Sequence, residues 1–317
     1  MKSLFKLIRW QNLLFIILIV WLMEKMVACA ILDAAFFGEQ LSLGMLTLLT
    51  ISVVFIAAGG YAINDYFDVK IDVINRPDKL IVTRELTKQQ AMLCHQVMTG
   101  IGAVCGLLLA VWLRSWSLAI IYIFVPGLLW FYSSSYKRQF IIGNLIVSLA
   151  TALVPIIVAM ANVAILYKRF GVDVMRFSDV PFQLYAWLGG FSAFAFLTTF
   201  CREVIKDLQD QVGDRELECH TLPIKLGETW TKIIVIALLL IVLALGAVAV
   251  FQWMPFGNTW QAVSVRYYVF GLLLPVLCEI YMLIAARISS DYRAAQHLMK
   301  FIMLIGVLFS IVIRINI

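Results

Sequence analysis

Residues 233–252 read IIVIALLLIVLALGAVAVFQ, a run without a charged side chain. An α-helix needs about 20 consecutive apolar residues to cross the hydrocarbon core of a bilayer, and this run is long enough. The whole chain has a similar character, since 63% of its 317 residues are hydrophobic and 14% are charged. In an ordinary soluble domain, roughly 45–50% of the residues are hydrophobic and about 25% are charged. The sequence therefore predicts a protein that lies mainly in lipid.

Clusters of charged residues divide the chain into a series of similar apolar segments. A helix satisfies its own backbone hydrogen bonds, which makes such segments suitable for spanning a membrane. We predict an all-α, polytopic membrane helical bundle that forms a single intramembrane domain over residues 1–317. Its nine predicted spans lie near residues 12–32, 43–63, 89–113, 116–131, 140–162, 183–201, 231–252, 266–286 and 297–314.

Lysine and arginine predict the orientation, because cytoplasmic loops of membrane proteins are enriched in both. Most of the 25 Lys and Arg residues fall on one side if the N-terminus is cytoplasmic and the C-terminus is outside. The predicted location is the cytoplasmic (inner) membrane. This topology explains the net charge of +6 without a nucleic-acid partner. A cleaved signal peptide ending near residues 28–30 is the alternative, but Glu24 and Lys25 interrupt its apolar run.

The sequence lacks the motifs of the common soluble cofactor sites. Its six cysteines occur singly, its three histidines are far apart, and it has no glycine-rich phosphate-binding motif. Zinc and nucleotide-binding loops are therefore not predicted. Most acidic residues instead lie in two predicted cytoplasmic loops, which directly follow the second and sixth spans.

The first acidic loop contains Asn64, Asp65, Asp68 and Asp72. If the second helix continues past the membrane, Asn64, Asp68 and Asp72 fall at positions i, i+4 and i+8 on one face. The second loop repeats this pattern, because Glu203, Asp207, Asp210 and Asp214 are spaced by 4, 3 and 4 residues.

Carboxylates at such spacing repel one another, so a bound cation is expected on each face. Oxygen ligands suit Mg²⁺, which proteins usually hold with one or two carboxylates and substrate phosphates. Juxtamembrane charge alone also occurs in solvated connectors, but two matched faces favour a magnesium-bound diphosphate. The cations expected to neutralise the phosphates are Arg76, Lys137, Arg138, Arg202 and Lys206.

The equivalent positions of the two loops suggest duplicated halves, at about residues 1–135 and 136–290, followed by a last helix at 297–314. A secondary transporter is an alternative function, since transporters also have many spans and internal repeats. However, transporters usually place ionisable groups near the membrane midplane, whereas these acids are predicted at its edge.

At these residues the sequence resembles the UbiA superfamily of intramembrane prenyltransferases. The family motif N-D-x-x-D-x-x-x-D matches the first loop, and D-x-x-x-D matches Asp210 and Asp214. Weaker matches occur at Arg9, Asn12 and Tyr132-Ser133 with Lys137. Several stretches, including Arg202–Asp207, are most similar to digeranylgeranylglyceryl phosphate synthases.

The resemblance implies a transferase that uses Mg²⁺ and an isoprenoid diphosphate, with geranylgeranyl diphosphate as the expected donor. Its implied acceptor is a lipid such as geranylgeranylglyceryl phosphate. The segment after Arg76-Pro77 departs from the family pattern, which leaves an aromatic quinone precursor open as the acceptor. The implied metal-binding and catalytic residues are Asp65, Asp68, Asp72, Asp207, Asp210 and Asp214. The implied substrate-binding residues are Asn12, Asn64, Arg76, Tyr132, Lys137, Arg138, Arg202 and Lys206.

Overall fold

The computed structural model describes residues 2–75, 80–253 and 259–316, with side chains left undescribed at 259–261. Within these ranges the chain has no β-strand, and nine helical segments are long and apolar enough to cross a membrane. The prediction of an all-α protein with nine spans is confirmed, whereas the orientation of its N-terminus stays a prediction. The segments are Trp10–Ala34, Leu43–Phe67, Lys88–Leu113, Trp116–Ser134, Ile142–Phe170, Val180–Gln209, Glu228–Gln252, Ala262–Ala285 and Ser289–Asn316.

Shorter helices connect these spans or form parts of them. Two spans contain a π-helical turn, at Met23–Ala28 and Tyr268–Leu273, and a 3₁₀ turn covers Tyr136–Arg138. The α-helices are α1 Lys2–Leu7, α2 Trp10–Leu22, α3 Cys29–Ala34, α4 Leu43–Phe67, α5 Val69–Asn75, α6 Lys88–Leu113, α7 Trp116–Ser134, α8 Ile142–Phe170, α9 Asp173–Phe177, α10 Val180–Gln209, α11 Gln211–Glu216, α12 Leu222–Leu226, α13 Glu228–Gln252, α14 Thr259–Tyr267, α15 Leu274–Ala285 and α16 Ser289–Asn316.

The starts of several spans carry local capping signals. Thr87 and Gln90 form a reciprocal capping box at the start of α6, with each side chain accepting a backbone N–H of the other residue. The Ser42 hydroxyl accepts a backbone N–H at the start of α4, and the Ser115 hydroxyl does so at the start of α7. These two caps are single hydrogen bonds and not reciprocal pairs. These contacts satisfy amides that have no partner within the helix. They explain why the helices begin close to the ends of the apolar runs.

The described residues form two compact units. Unit 1 takes its residues from 1–137 and 154–188, and unit 2 takes them from 138–153 and 189–317. The first acidic loop lies in unit 1 and the second lies in unit 2. The prediction that the chain arose from duplicated halves stays a prediction.

Close packing of α4 against α6 organises unit 1. A methyl group built on Gly102 of α6 would lie 2.8 Å from the Ile56 backbone nitrogen and 2.9 Å from the Ser52 carbonyl oxygen. Nearby, His95 Nδ1 forms a 3.0 Å hydrogen bond with the carbonyl oxygen of Gly59. Small residues allow this approach, which is a common way for membrane helices to associate when lipid removes the hydrophobic driving force.

Gly102→Ala is therefore expected to destabilise unit 1 by about 1–3 kcal/mol, the usual cost of overpacking. The added methyl group would meet backbone atoms, which cannot rotate away as a side chain can. The matched control is Gly100→Ala on the same helix, because nothing lies within 4 Å of a methyl group built there. Thermal unfolding of both variants in detergent measures the difference, and equal melting temperatures would contradict the prediction.

Unit 2 has its own apolar core. Buried side chains from α10, α13, α15 and α16 pack together, and they include Val204, Leu239, Val276 and Ile302. Because α10 is anchored in this core, its C-terminal end carries the second acidic loop at a fixed position within the unit.

Candidate active site

The first acidic cluster comprises Asn64, Asp65, Asp68 and Asp72, where α4 ends and α5 begins. The Asp68 amide donates to the Asn64 carbonyl (3.0 Å), and the Asp72 amide donates to the Asp68 carbonyl (2.9 Å). Helical hydrogen bonding therefore continues from α4 into α5, as the sequence predicted. Asn64 and Asp68 are buried, with 8% and 7% of their surfaces exposed. The fold thus buries one predicted metal ligand, Asp68, and one predicted substrate-binding residue, Asn64, within unit 1.

Lys137 reaches this cluster from the end of the fourth span. Its ammonium forms an ion pair with Asp68 and lies 3.3 Å from Asn64 Oδ1, while Asn64 Nδ2 donates to Asp68 Oδ2 at 2.6 Å. Burial disfavours the charged form of Lys137, but the carboxylate of Asp68 outweighs it and raises the Lys137 pKa above its ordinary value. Lys137 therefore remains a cation at neutral pH and can meet a phosphate.

Arg9 provides a second cation. Its Nη2 donates to Asp65 Oδ1 at 2.8 Å, and its guanidinium lies 5.0 Å from the centre of the Tyr61 ring. Desolvation opposes the charge, yet Asp65 and Tyr61 raise the Arg9 pKa. In the sequence, Arg9 was only a weak match to the family pattern and was not among the predicted site residues. Its signal was a basic residue directly before the first span.

The second acidic cluster comprises Glu203, Asp207, Asp210 and Asp214, in unit 2. The sequence suggested one helical face, but α10 ends at Gln209, and α11 begins at Gln211. Asp210 lies at this interruption, with φ −96° and ψ 9°. Aspartate is a weak helix former because its side chain competes for backbone hydrogen bonds. The 4-residue register nevertheless persists, since the Asp214 amide donates to the Asp210 carbonyl at 3.2 Å.

Two of the predicted phosphate-binding cations lie beside this cluster. Arg202 Nη2 is 2.5 Å from Glu203 Oε1, and Lys206 Nζ is 3.9 Å from Glu203 Oε2. Glu203 thus holds both cations near the acids of its own helix. Arg202 Nε is buried without a hydrogen-bond partner among the described residues, which leaves the guanidinium incompletely satisfied.

Two further polar residues contact this cluster and were missed from the sequence. Asn144 Nδ2 donates to Asp207 Oδ2 at 2.8 Å, and Thr221 Oγ1 donates to Asp214 Oδ2 at 3.1 Å. Neither residue belongs to an acidic motif. Folding brings Asn144 to Asp207 across 63 positions, whereas Thr221 lies only 7 positions after Asp214.

The remaining predicted substrate-binding residues differ in setting. Asn12 and Tyr132 are half-buried in unit 1, and Tyr132 contributes to the electrostatic environment of Lys137. Arg138 is exposed in unit 2, where its carbonyl accepts from the His220 amide at 2.9 Å. Arg76 lies outside the described residues.

The donor groups in both clusters suit Mg²⁺. They are carboxylate oxygens, the hard ligands that Mg²⁺ prefers. Among the residues that the structure describes, no group of three His, Cys, Asp or Glu side chains is close enough to hold a metal ion by itself. A Mg²⁺ ion held by one or two of these carboxylates would take the rest of its coordination from substrate phosphates and water.

Comparison with known proteins gives one consistent family. The sequence profile of the UbiA prenyltransferase family matches residues 26–305. The digeranylgeranylglyceryl phosphate synthase of Pyrococcus horikoshii is 34% identical over 60% of this chain, an alignment that spans only 59% of the relative. The protein of the same name from Methanopyrus kandleri is 30% identical, and the alignment covers 86% of this chain and 88% of the relative.

Solved structures agree on the fold. A structure from work on digeranylgeranylglyceryl phosphate synthase in membranes has a TM-score of 0.63 at 21% identity, covering 100% of this chain and 99% of that one. A UbiA homologue from Archaeoglobus fulgidus, bound to GPP and Mg²⁺, has a TM-score of 0.57 at 13% identity. The alignment covers 98% of this chain and 99% of that one. Since the family profile extends over most of the sequence, the chain belongs to the UbiA prenyltransferase family.

Proposed function

We propose that this protein is a Mg²⁺-dependent prenyltransferase that transfers a geranylgeranyl group from geranylgeranyl diphosphate to geranylgeranylglyceryl phosphate. The observation that carries the proposal is the first acidic cluster, where Asp68 meets Lys137 and Asn64 at a helix end. A carboxylate for the metal and a cation for the phosphates lie within one unit. The names of the two relatives support this choice of acceptor.

In the proposed reaction, the C1–O bond of the allylic diphosphate breaks and its electron pair leaves with the diphosphate. A hydroxyl oxygen of the acceptor forms the new C–O bond, and its proton passes to the released diphosphate or to solvent. When bound, Mg²⁺ supplies positive charge that stabilises the departing diphosphate. The three aspartates of each cluster are proposed as ligands of such metal ions. A UbiA homologue that was solved with GPP and Mg²⁺ supports the use of this metal, and the choice of ligands rests on the spacing of the acids.

The cations beside each cluster have a complementary role. Lys137 and Arg202 would donate charge-assisted hydrogen bonds to phosphate oxygens, which are stronger than neutral ones. Asn64 would help to hold the orientation of Asp68, because it already donates to that carboxylate. The apolar spans would exclude water from the allylic cation.

We also propose a location for the reaction, the cytoplasmic face of the inner membrane. It rests on the Lys and Arg distribution of the loops. The test replaces the exposed residue Arg138 with cysteine. A membrane-impermeant thiol reagent is then added to sealed vesicles of known orientation. Labelling from the outer face would overturn it.

The function is tested with purified protein in detergent, labelled geranylgeranyl diphosphate and two acceptors in separate reactions. We expect labelled product with geranylgeranylglyceryl phosphate, its loss on chelation by EDTA, and its recovery on adding excess Mg²⁺. Product formed only with an aromatic quinone precursor would contradict the proposed acceptor but agree with the proposed mechanism. Cation-dependent uptake of a solute into vesicles, with no transfer to either acceptor, would favour a transporter.

A further inference from the structure

Two polar side chains outside the acidic motifs hold the carboxylates of the second acidic cluster. Asn144, near the start of α8, donates to Asp207, and Thr221, at the start of α12, donates to Asp214. All four residues belong to unit 2. Each donor engages one carboxylate oxygen, so the two contacts act on two different proposed metal ligands.

Both donors are buried and fixed in place. Asn144 is 9% exposed and Thr221 is 7% exposed, so water competes little for their hydrogen bonds. The Asn144 carbonyl accepts from Ser148 Oγ at 2.6 Å. The Thr221 carbonyl accepts from the amides of Ile224 and Lys225, both at 3.1 Å. Neither side chain needs to reorganise to make its contact.

The backbone around Thr221 is tied to the same region. The Cys219 amide donates to the Asp214 carbonyl at 2.8 Å, and the His220 amide donates to the Arg138 carbonyl at 2.9 Å. Residues 219–221 therefore fold back on α11 and on the segment that leads to α8. This arrangement fixes the Thr221 hydroxyl relative to Asp214.

A hydrogen bond to one oxygen restricts rotation of a carboxylate and thereby sets the direction of its other oxygen. Carboxylates that bind metals are commonly held in this way, and loss of the supporting contact typically costs about 10- to 100-fold in metal affinity or activity. We propose that Asn144 and Thr221 are positioning residues that orient Asp207 and Asp214 toward Mg²⁺ and its diphosphate. The inference rests on the proposed function, which makes this cluster a magnesium-diphosphate site.

A matched control lies on the same helix as Asn144. Asn162 is fully buried in α8, and its Nδ2 donates to the buried carboxylate of Glu24 at 2.6 Å. Glu24 belongs to the first span and to neither acidic cluster. Asn162→Ala therefore removes a comparable amide–carboxylate hydrogen bond that the inference does not connect with the metal.

The test is titration calorimetry of inorganic diphosphate with Mg²⁺ against the purified protein in detergent, which needs no turnover. We expect Asn144→Ala and Thr221→Val to weaken binding by about 10- to 100-fold. Thr221→Ser keeps the hydroxyl and should bind nearly as the unmodified protein does. Asn162→Ala should melt at a lower temperature but retain the affinity.

The outcomes separate this inference from the proposed function. Absence of magnesium-diphosphate binding by the unmodified protein would refute the proposed function. Normal binding by the unmodified protein, Asn144→Ala and Thr221→Val alike would overturn only the positioning role. Equal losses in Thr221→Ser and Thr221→Val would also overturn it, because the hydroxyl would then not be responsible. If Asn144→Ala does not fold, the two Thr221 variants decide the question.

Discussion

Asp68→Asn is expected to lower prenyl transfer by about 10²- to 10³-fold, the range observed when a group that stabilises transition-state charge is removed. Asp68 is the buried carboxylate that Lys137 and Asn64 both contact. An amide at this position keeps the shape but provides a neutral ligand in place of a charged one. Less charge would then hold Mg²⁺ beside the leaving diphosphate.

The measurement is the initial rate of labelled product formation at saturating Mg²⁺ and donor. Glu85→Gln is the matched control, because it also removes one carboxylate from unit 1. Glu85 lies outside both acidic clusters and forms an ion pair with Lys6 at 2.6 Å. The contact with Lys6 holds the pKa of Glu85 below its ordinary value. Control and unmodified protein should have equal rates. An Asp68→Asn rate within twofold of theirs would remove Asp68 from the metal site.

Lys137→Met is expected to reduce kcat/KM for the prenyl diphosphate by roughly 10- to 100-fold, since hydrogen bonds to charged groups contribute about 1.5–3 kcal/mol. The substitution removes the cation proposed to meet the phosphates. It also leaves Asp68 without its ion-pair partner in a buried setting. Methionine preserves much of the apolar length of the side chain, so the effect reports mainly on charge.

Steady-state kinetics with varied donor concentration measure this loss. Lys137→Arg should recover part of the activity, because it restores the positive charge with a different geometry. Lys6→Met is the control, as it removes an exposed cation that pairs with Glu85. If Lys137→Met changed only the melting temperature and left kcat/KM intact, Lys137 would be a structural partner of Asp68 and nothing more.

Much of the fold is a local property of the sequence. Long apolar runs with few charges predicted all nine spans found among the described residues, because length and hydropathy are what a bilayer selects. The helical continuation at residues 64–72 was likewise predictable, since spacing along one helix needs no knowledge of its neighbours. The spacing of the acids singled out the two acidic clusters for the same reason, as each lies within a short stretch of chain.

Other features of the site depended on contacts between distant parts of the chain. Lys137 meets Asp68 across 69 positions, Arg9 meets Asp65 across 56, and Asn144 meets Asp207 across 63. No periodicity encodes such pairs, because they depend on how helices pack and on where their side chains then point. The break at Asp210 also differed from the single helical face that spacing suggested.

The sequence by itself therefore determined the membrane-spanning helices, their number and the two acid-bearing helix ends. Only the tertiary structure decided which side chains hold those acids. The physical reason is the range of each interaction: burial in lipid and helical periodicity act along neighbouring residues, whereas an ion pair or a hydrogen bond needs two groups within about 3 Å. For pairs that are far apart in the sequence, such as Lys137 with Asp68, packing brings the two groups together.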